Sequence, residues 1–168
     1  NTKGNLLRKG NRRFTYAANK TYPISDEIYD PNTLTWNTNA TYTWSANGNL
    51  LTKGLFTYSY DSNNMMKQAV EVDGSSAVVG DTKFFYDQSG QRFLKKHTRG
   101  GVTIKTWYLG DGIEIREKYV GVTAGTPDGT YDSSQSTKYI YGIDNKKLAS
   151  ITGTVYTATN RGQFVDQA

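Results

Sequence analysis

Few residues in this chain are equipped for chemistry, and they are scattered. His97 is the single histidine, placed between Lys96 and Thr98 in a run that alternates like a strand. A general base needs an orienting acid and a nucleophile to serve, and the sequence around His97 supplies neither. No cysteine occurs in the 168 residues, which excludes disulfides and thiolate metal sites. His97 is therefore read as structural. Asp111 and Glu114 sit at a Gly110-Asp111-Gly112 turn and invite a paired-carboxylate or calcium reading. A hard cation wants more oxygens in a defined loop, and turn chemistry accounts for Asp111 unaided. The glycine-rich stretch from Gly121 to Gly129 lacks the Lys-Ser/Thr of a phosphate loop and reads as a long exposed loop, extending to about residue 136. The expectation is a chain without enzymatic activity, catalytic residue, metal or cofactor.

Charge is more informative. The formal net charge is +5, and Lys3, Arg8, Lys9, Arg12, Arg13 and Lys20 all precede the first acid, Asp26. The remainder of the chain is close to neutral. Clustered cations attract phosphate or sulfate, so Arg8, Lys9, Arg12 and Arg13 are candidates for contact with an anion. The simpler reading is a solvated strand face whose charges discourage edge pairing, and it carries more weight. No nucleic-acid motif accompanies the cluster, so nucleic acid is not the expected partner.

Whatever these residues do, short strands must position them. Trp44-Ser45-Ala46-Asn47-Gly48 places a side-chain acceptor at the first position of a four-residue turn and glycine at the fourth. The frame returns as Tyr60-Asp61-Ser62-Asn63-Asn64 and as Tyr86-Asp87-Gln88-Ser89-Gly90. Asn64 stands where the other copies have glycine, and asparagine tolerates the left-handed backbone best after glycine. A longer phrase also repeats, since Gly4 to Tyr16 and Gly48 to Tyr58 share GNLL, a Lys-Gly and Phe-Thr-Tyr. The copies differ by two residues between Lys-Gly and Phe-Thr-Tyr, which preserves the period-2 alternation and keeps the aromatics on one face. Each unit reads as aromatic strand, tight turn, apolar strand.

The same texture continues through Arg99-Gly100-Gly101 and Gly110-Asp111-Gly112, each set between β-branched and aromatic runs. Tyr139-Ile140-Tyr141 and Ile151 to Tyr156 read as further strands. No amphipathic helix pattern occurs between Asn1 and Val120. The stretch from Ala17 to Asn39 matches no repeat and reads either as a decorated hairpin or as a plug-like excursion. Hydrophobic residues are 36% of the chain, with 13 Tyr and 17 Gly, a balance that suits an extended sheet faced with Tyr and Thr. The fold expected is all-β, consecutive antiparallel hairpins in an extended, curled sheet over 1–156, followed by an irregular tail over 157–168.

The Tyr-Asp-x-x-Gly turns, followed by Asn, Gln or Arg and an apolar residue, and the nearby Phe-Thr-Tyr, resemble the YD repeats of the RHS family. Tyr86 to Arg92 is the nearest single copy, and Phe56 to Asn64 is similar to a linked pair. Tyr108-Leu109-Gly110-Asp111-Gly112 with Glu114, then Tyr139-Ile140-Tyr141-Gly142, is similar to the order near the C-terminal end of RHS cores. Trp44-Ser45 in place of Tyr-Asp and Asn64 in place of Gly depart from the pattern. The resemblance implies a β-strip that winds into a shell, enclosing or presenting a toxin or effector in a longer parent, and an exported bacterial protein, secreted or at the cell surface. Its partners would be the rest of the shell and the enclosed cargo. Because Asn1 to Gly4 aligns with Ser45 to Gly48, the chain is expected to open inside a repeat and to be shell wall without contents. The rival reading is a surface adhesion module that binds glycan or another protein through its aromatic face. No membrane-spanning run is visible.

Overall fold

A computed structural model describes residues 5–109, 112–122, 129–141, 147–153 and 156–157. It is all-β, with no helix among the described residues. The strands are β1 (Arg8–Lys9), β2 (Arg12–Tyr16), β3 (Pro23–Asp30), β4 (Thr35–Trp44), β5 (Leu50–Lys53), β6 (Phe56–Tyr60) and β7 (Met66–Val72). They continue as β8 (Val78–Tyr86), β9 (Arg92–Arg99), β10 (Val102–Leu109), β11 (Ile113–Val120), β12 (Thr130–Tyr141), β13 (Lys147–Thr152) and β14 (Tyr156–Thr157). From β1 to β13 every strand pairs antiparallel with the next, and β14 pairs with β12. The result is an open meander, as the hairpin phrases predict.

The meander is a single layer. Among the described residues, the backbones of two strands come close only where the strands are hydrogen-bonded to each other. Among the described residues Ala40 is consequently the one buried hydrophobic, beside three buried polar residues: Asp26, Thr103 and Thr106. Cohesion must come from the backbone ladder and from side chains meeting across it. One row of facing residues runs Tyr58, Ala69, Thr82, His97, Ile104, Lys118, Ser133, from β6 to β12 without a slip. Threonine hydroxyls bond across strands at Thr43–Thr52 (2.8 Å) and Thr98–Thr103 (2.9 Å). Tyr119 and Tyr131 meet edge to face at 5.7 Å between ring centroids. The Tyr- and Thr-rich composition is what such half-wet faces require.

One open alternative is resolved and two expectations change. Of the two readings of Ala17 to Asn39 the hairpin holds, formed by β3 and the first half of β4 and turned through Pro31 to Leu34. The long loop expected over 121–136 is shorter, because Thr130 already pairs with Val120 and β12 runs on from there. Runs of Ser and Thr between Thr130 and Thr137 hid this strand, since only Tyr131 breaks their polarity. Finally, Thr157 pairs with Ser133, so the irregular tail does not begin there, and residues 158–168 lie outside the described ones.

The tightest packing surrounds a charge. Asp26 on β3 has no exposed surface, and its carboxylate accepts from Arg12 Nε at 2.9 Å, Tyr42 Oη at 2.9 Å and Asn39 Nδ2 at 3.1 Å. The pairing of β3 with β4 slips between Asp26 and Glu27, which sets Asn39 beside the carboxylate. A buried carboxylate is tolerable only when paired and fully hydrogen-bonded, and this one meets both conditions.

Removing the Asp26 side chain strands three polar partners, so Asp26→Ala should destabilise by about 3 kcal/mol in denaturant unfolding. The hub also makes a pH prediction. Burial, and then the hydrogen bond to Asp26, push the Tyr42 phenol up to about 12 from an ordinary 10. A raised folded value favours the protonated form, so this contribution is complete below pH 10 and is lost as pH climbs toward 12. Burial also raises Tyr58, and the Glu114 bond raises Tyr139, so phenolate absorbance should show a late-titrating group of tyrosines from which Tyr42→Phe removes one.

Candidate functional site: repeated turns, a basic hairpin and two charged faces

The repeated turns have one geometry. Gly48, Asn64 and Gly90 each donate to the carbonyl three residues back, at 3.1 Å, with φ of 81°, 61° and 80°. The first turn residue and the one after the left-handed position then bond in the opposite sense, as in Asp87 N–H to Gln91 O at 2.9 Å. This is a three-residue hairpin loop closed by a left-handed bulge. The side chain at the first position locks it. Asp61 Oδ1 accepts the Asn63 and Met65 amides, each at 2.9 Å, and Asp87 Oδ1 accepts those of Ser89 and Gln91, each at 2.9 Å. Ser45 Oγ does the same for Asn49 at 3.1 Å. Asp61 and Asp87 are turn formers whose oxygens are engaged locally.

A fourth copy escaped the sequence reading. Asp73 Oδ1 accepts the amides of Ser75 (2.8 Å) and Ala77 (3.0 Å), and Ser76 fills the left-handed position at φ 68°. Val72 precedes it where the other copies carry Trp or Tyr, and serine is an unexpected left-handed residue, so only the aspartate could have given it away. Gly112 also has positive φ, at 72°, and a Cβ there would lie 2.7 Å from the Tyr141 ring. Asp111 lies outside the described residues.

Because strands alternate in direction, the turns at Ser45, Asp61 and Asp87 share one end of the sheet, while Asp73 lies at the other. Every even strand from β2 to β12 except β10 ends there in an aromatic: Tyr16, Trp44, Tyr60, Tyr86, Tyr141. Three of these reach back to cap a main-chain carbonyl: Tyr16 Oη to Leu6 O (2.8 Å), Trp44 Nε1 to Pro23 O (2.7 Å) and Tyr86 Oη to Met66 O (2.9 Å). Trp44 therefore substitutes for tyrosine by offering an N–H in place of an O–H. Asn64 also accepts from Asn49 Nδ2 at 2.9 Å, tying adjacent turns together.

Two cations of the basic hairpin are neutralised in place. Arg12 pairs with Asp26, and Arg13 grips Glu27 through two hydrogen bonds of 2.5 and 2.9 Å. Arg8 and Arg13 both stand over the Trp36 ring, at 5.3 and 4.7 Å from its centroid. Lys9 is exposed. The acids that balance this cluster lie 14 residues further on for Arg12 and for Arg13, out of reach of a linear count of charge.

Elsewhere the two faces divide the remaining functional groups. On one, Glu117 accepts from Trp107 Nε1 (2.9 Å) and Tyr119 Oη (3.1 Å). On the other, His97 Nδ1 meets the Thr82 hydroxyl at 2.8 Å and lies with Lys95, Thr106, Tyr108, Glu114 and Arg116 around a shallow depression. No group of three or more potential metal-ligating side chains occurs among the described residues. No described helix is long and apolar enough to cross a membrane. No protein-family model matches this chain, and no curated protein matches it either.

The turn geometry makes two predictions. Gly90→Val should destabilise by more than about 1 kcal/mol through backbone strain, while Ser76→Gly should stabilise by about 1 kcal/mol in thermal unfolding. Asn64→Gly should stay within about 0.5 kcal/mol, since relief of φ is offset by loss of the Asn49 bond. The second concerns acid. Hydrogen bonds from the Ser75 and Ser89 hydroxyls, reinforced by turn amides, hold the Asp73 and Asp87 carboxyls below their ordinary 3.8. Depressed folded values mean that the turns contribute stability above that range and lose it as pH falls through them. Ser89→Ala should move Asp87 back toward 3.8 in an NMR titration.

Proposed function

We propose that this chain is a wall segment of an RHS/YD-repeat scaffold, a structural element of an exported bacterial protein that encloses or presents a toxin or effector region. The observation that carries the reading is the recurrence of an aromatic strand end and a locked turn along a single layer. Such a layer has no interior of its own to complete and extends by adding hairpins. It acts by shape, and its chemistry is that of hydrogen-bonded edges and half-wet faces.

The edges support this reading. β1 is two residues long, and Leu6 and Leu7 ahead of it are each 52% exposed. β13 is exposed along its whole length, with Leu148 69% and Ile151 61% exposed. Among the described residues no further strand lies beyond β1 or β13, and edges that carry apolar side chains template further pairing, which a wall uses and a self-contained module must suppress. The adhesion reading has one observation of its own, a groove between the Asp61 and Asp87 turns lined by Phe84, Phe85, Tyr86 and Phe93.

Sedimentation velocity across protein concentration and salt separates the two. A wall segment should associate as concentration rises, and more so as salt screens its positive charge over a Debye length of about 8 Å. A chain that remains monomeric at high protein and high salt contradicts the wall reading.

A further inference from the structure

Two cations without an ion-pair partner among the described residues stand close together in the sheet, away from the basic hairpin. Lys95, Thr106 and Arg116 face one another across β9, β10 and β11, and His97 and Ile104 form the next row. Strand spacing therefore separates the Lys95 and Arg116 backbones by roughly 10 Å, with His97 about 7 Å along from Lys95. Neither Lys95 nor Arg116 has an ion-pair partner among the described residues, whereas the neighbouring Lys118 pairs with Asp132 at 3.1 Å. The one acid at the rim, Glu114, already accepts from Tyr139 Oη at 3.0 Å. These groups surround a depression of 350 Å³ whose floor includes Ile104 and the nearly buried Thr106. A second depression of 260 Å³ shares Ile104 and Arg116 and continues over Ser133, Ser134 and Gln135; its two other charged residues are engaged, Glu117 by Trp107 and Tyr119 and Lys118 by Asp132.

We propose that this trough binds an anionic saccharide, with Lys95 and Arg116 taking its carboxylate or sulfate and the hydroxyl- and amide-lined extension taking neutral sugar hydroxyls. His97 contributes a ring nitrogen, because Nδ1 is engaged by Thr82 while Nε2 has no hydrogen-bond partner among the described residues. Two unpaired cations joined to uncharged donors and acceptors match a polyol that carries isolated negative groups. Single-stranded nucleic acid fits less well, since it needs open aromatic platforms and Tyr108 is covered by Arg92 at 4.4 Å. An acidic peptide would dock most readily as an added strand, and the cationic part of the trough, on β9 to β11, lies inside the sheet and not on an edge strand. The site stands whether or not the scaffold reading does.

The test is calorimetric titration of the whole chain with a heparin-derived hexasaccharide, a trigalacturonate, neutral maltohexaose and a dodecathymidylate. The sulfated and carboxylated probes distinguish the two sources of negative charge, and the expected result is binding of at least one, with none to maltohexaose. Loss of two charge-assisted contacts in Lys95→Gln/Arg116→Gln should weaken binding at least about tenfold. Arg8→Gln/Lys9→Gln, at the hairpin, should change it less than about twofold, since exposed cations away from the site act only through screened attraction. Amide shift perturbation in the unsubstituted chain gives an independent readout, expected at Lys95, His97, Thr106 and Arg116. Failure of both anionic saccharides to bind, perturbations centred on Arg8 to Arg13, equal weakening by the two double variants, or tighter binding of the oligonucleotide would each overturn the proposal.

Discussion

A strand that leaves a turn one residue out of register presents its aromatics to the wrong side of the sheet. Here a side-chain oxygen at the first turn position guards against that slip. Asp61, Asp73 and Asp87 each hold two amides of their own turn, and the left-handed residue three positions on closes the loop. A sheet with a deep core can correct register through burial, because a misplaced strand leaves apolar side chains in water. This sheet has almost no core to consult. Local turn chemistry must therefore carry information that packing carries elsewhere.

The same absence explains where polar groups have gone. In a single layer the centre of the sheet is covered only by long side chains lying across their neighbours, and the best-covered positions are filled by threonine and by Asp26. Arg12, Asn39 and Tyr42 close around that carboxylate and join β2, β3 and β4 through one side chain. The N-terminal hairpin is thus fastened to the sheet electrostatically, with Arg12 and Arg13 engaged by acids of β3. Further uncompensated charge stands at Lys95 and Arg116, which antiparallel pairing through β10 brings together.

The fold class and the meander were legible because the turn residues are local signals: an acceptor, then glycine or asparagine, between aromatic and apolar runs. Gly48, Asn64 and Gly90 occupy the left-handed region that their sequence frame required. The turn at Asp73 was not legible, because Ser76 is a poor herald of positive φ and Val72 replaces the aromatic. β12 was masked by its serines and threonines, which pack acceptably on a half-wet face but resemble a loop. The site residues were the least legible. Whether an arginine is free or paired depends on what lies across the ladder, and Asp26 meets Arg12 only once β2 and β3 are in register.

If locked turns hold this single-layer sheet in register without a second layer, residue-resolved amide hydrogen exchange should reveal it. The turn amides of Met65, Ala77 and Gln91, at the sheet's ends, should be protected together with the ladder amides of β6 to β9. Rapid, unprotected exchange through those strands, or turn amides that open while the ladder stays closed, would contradict it.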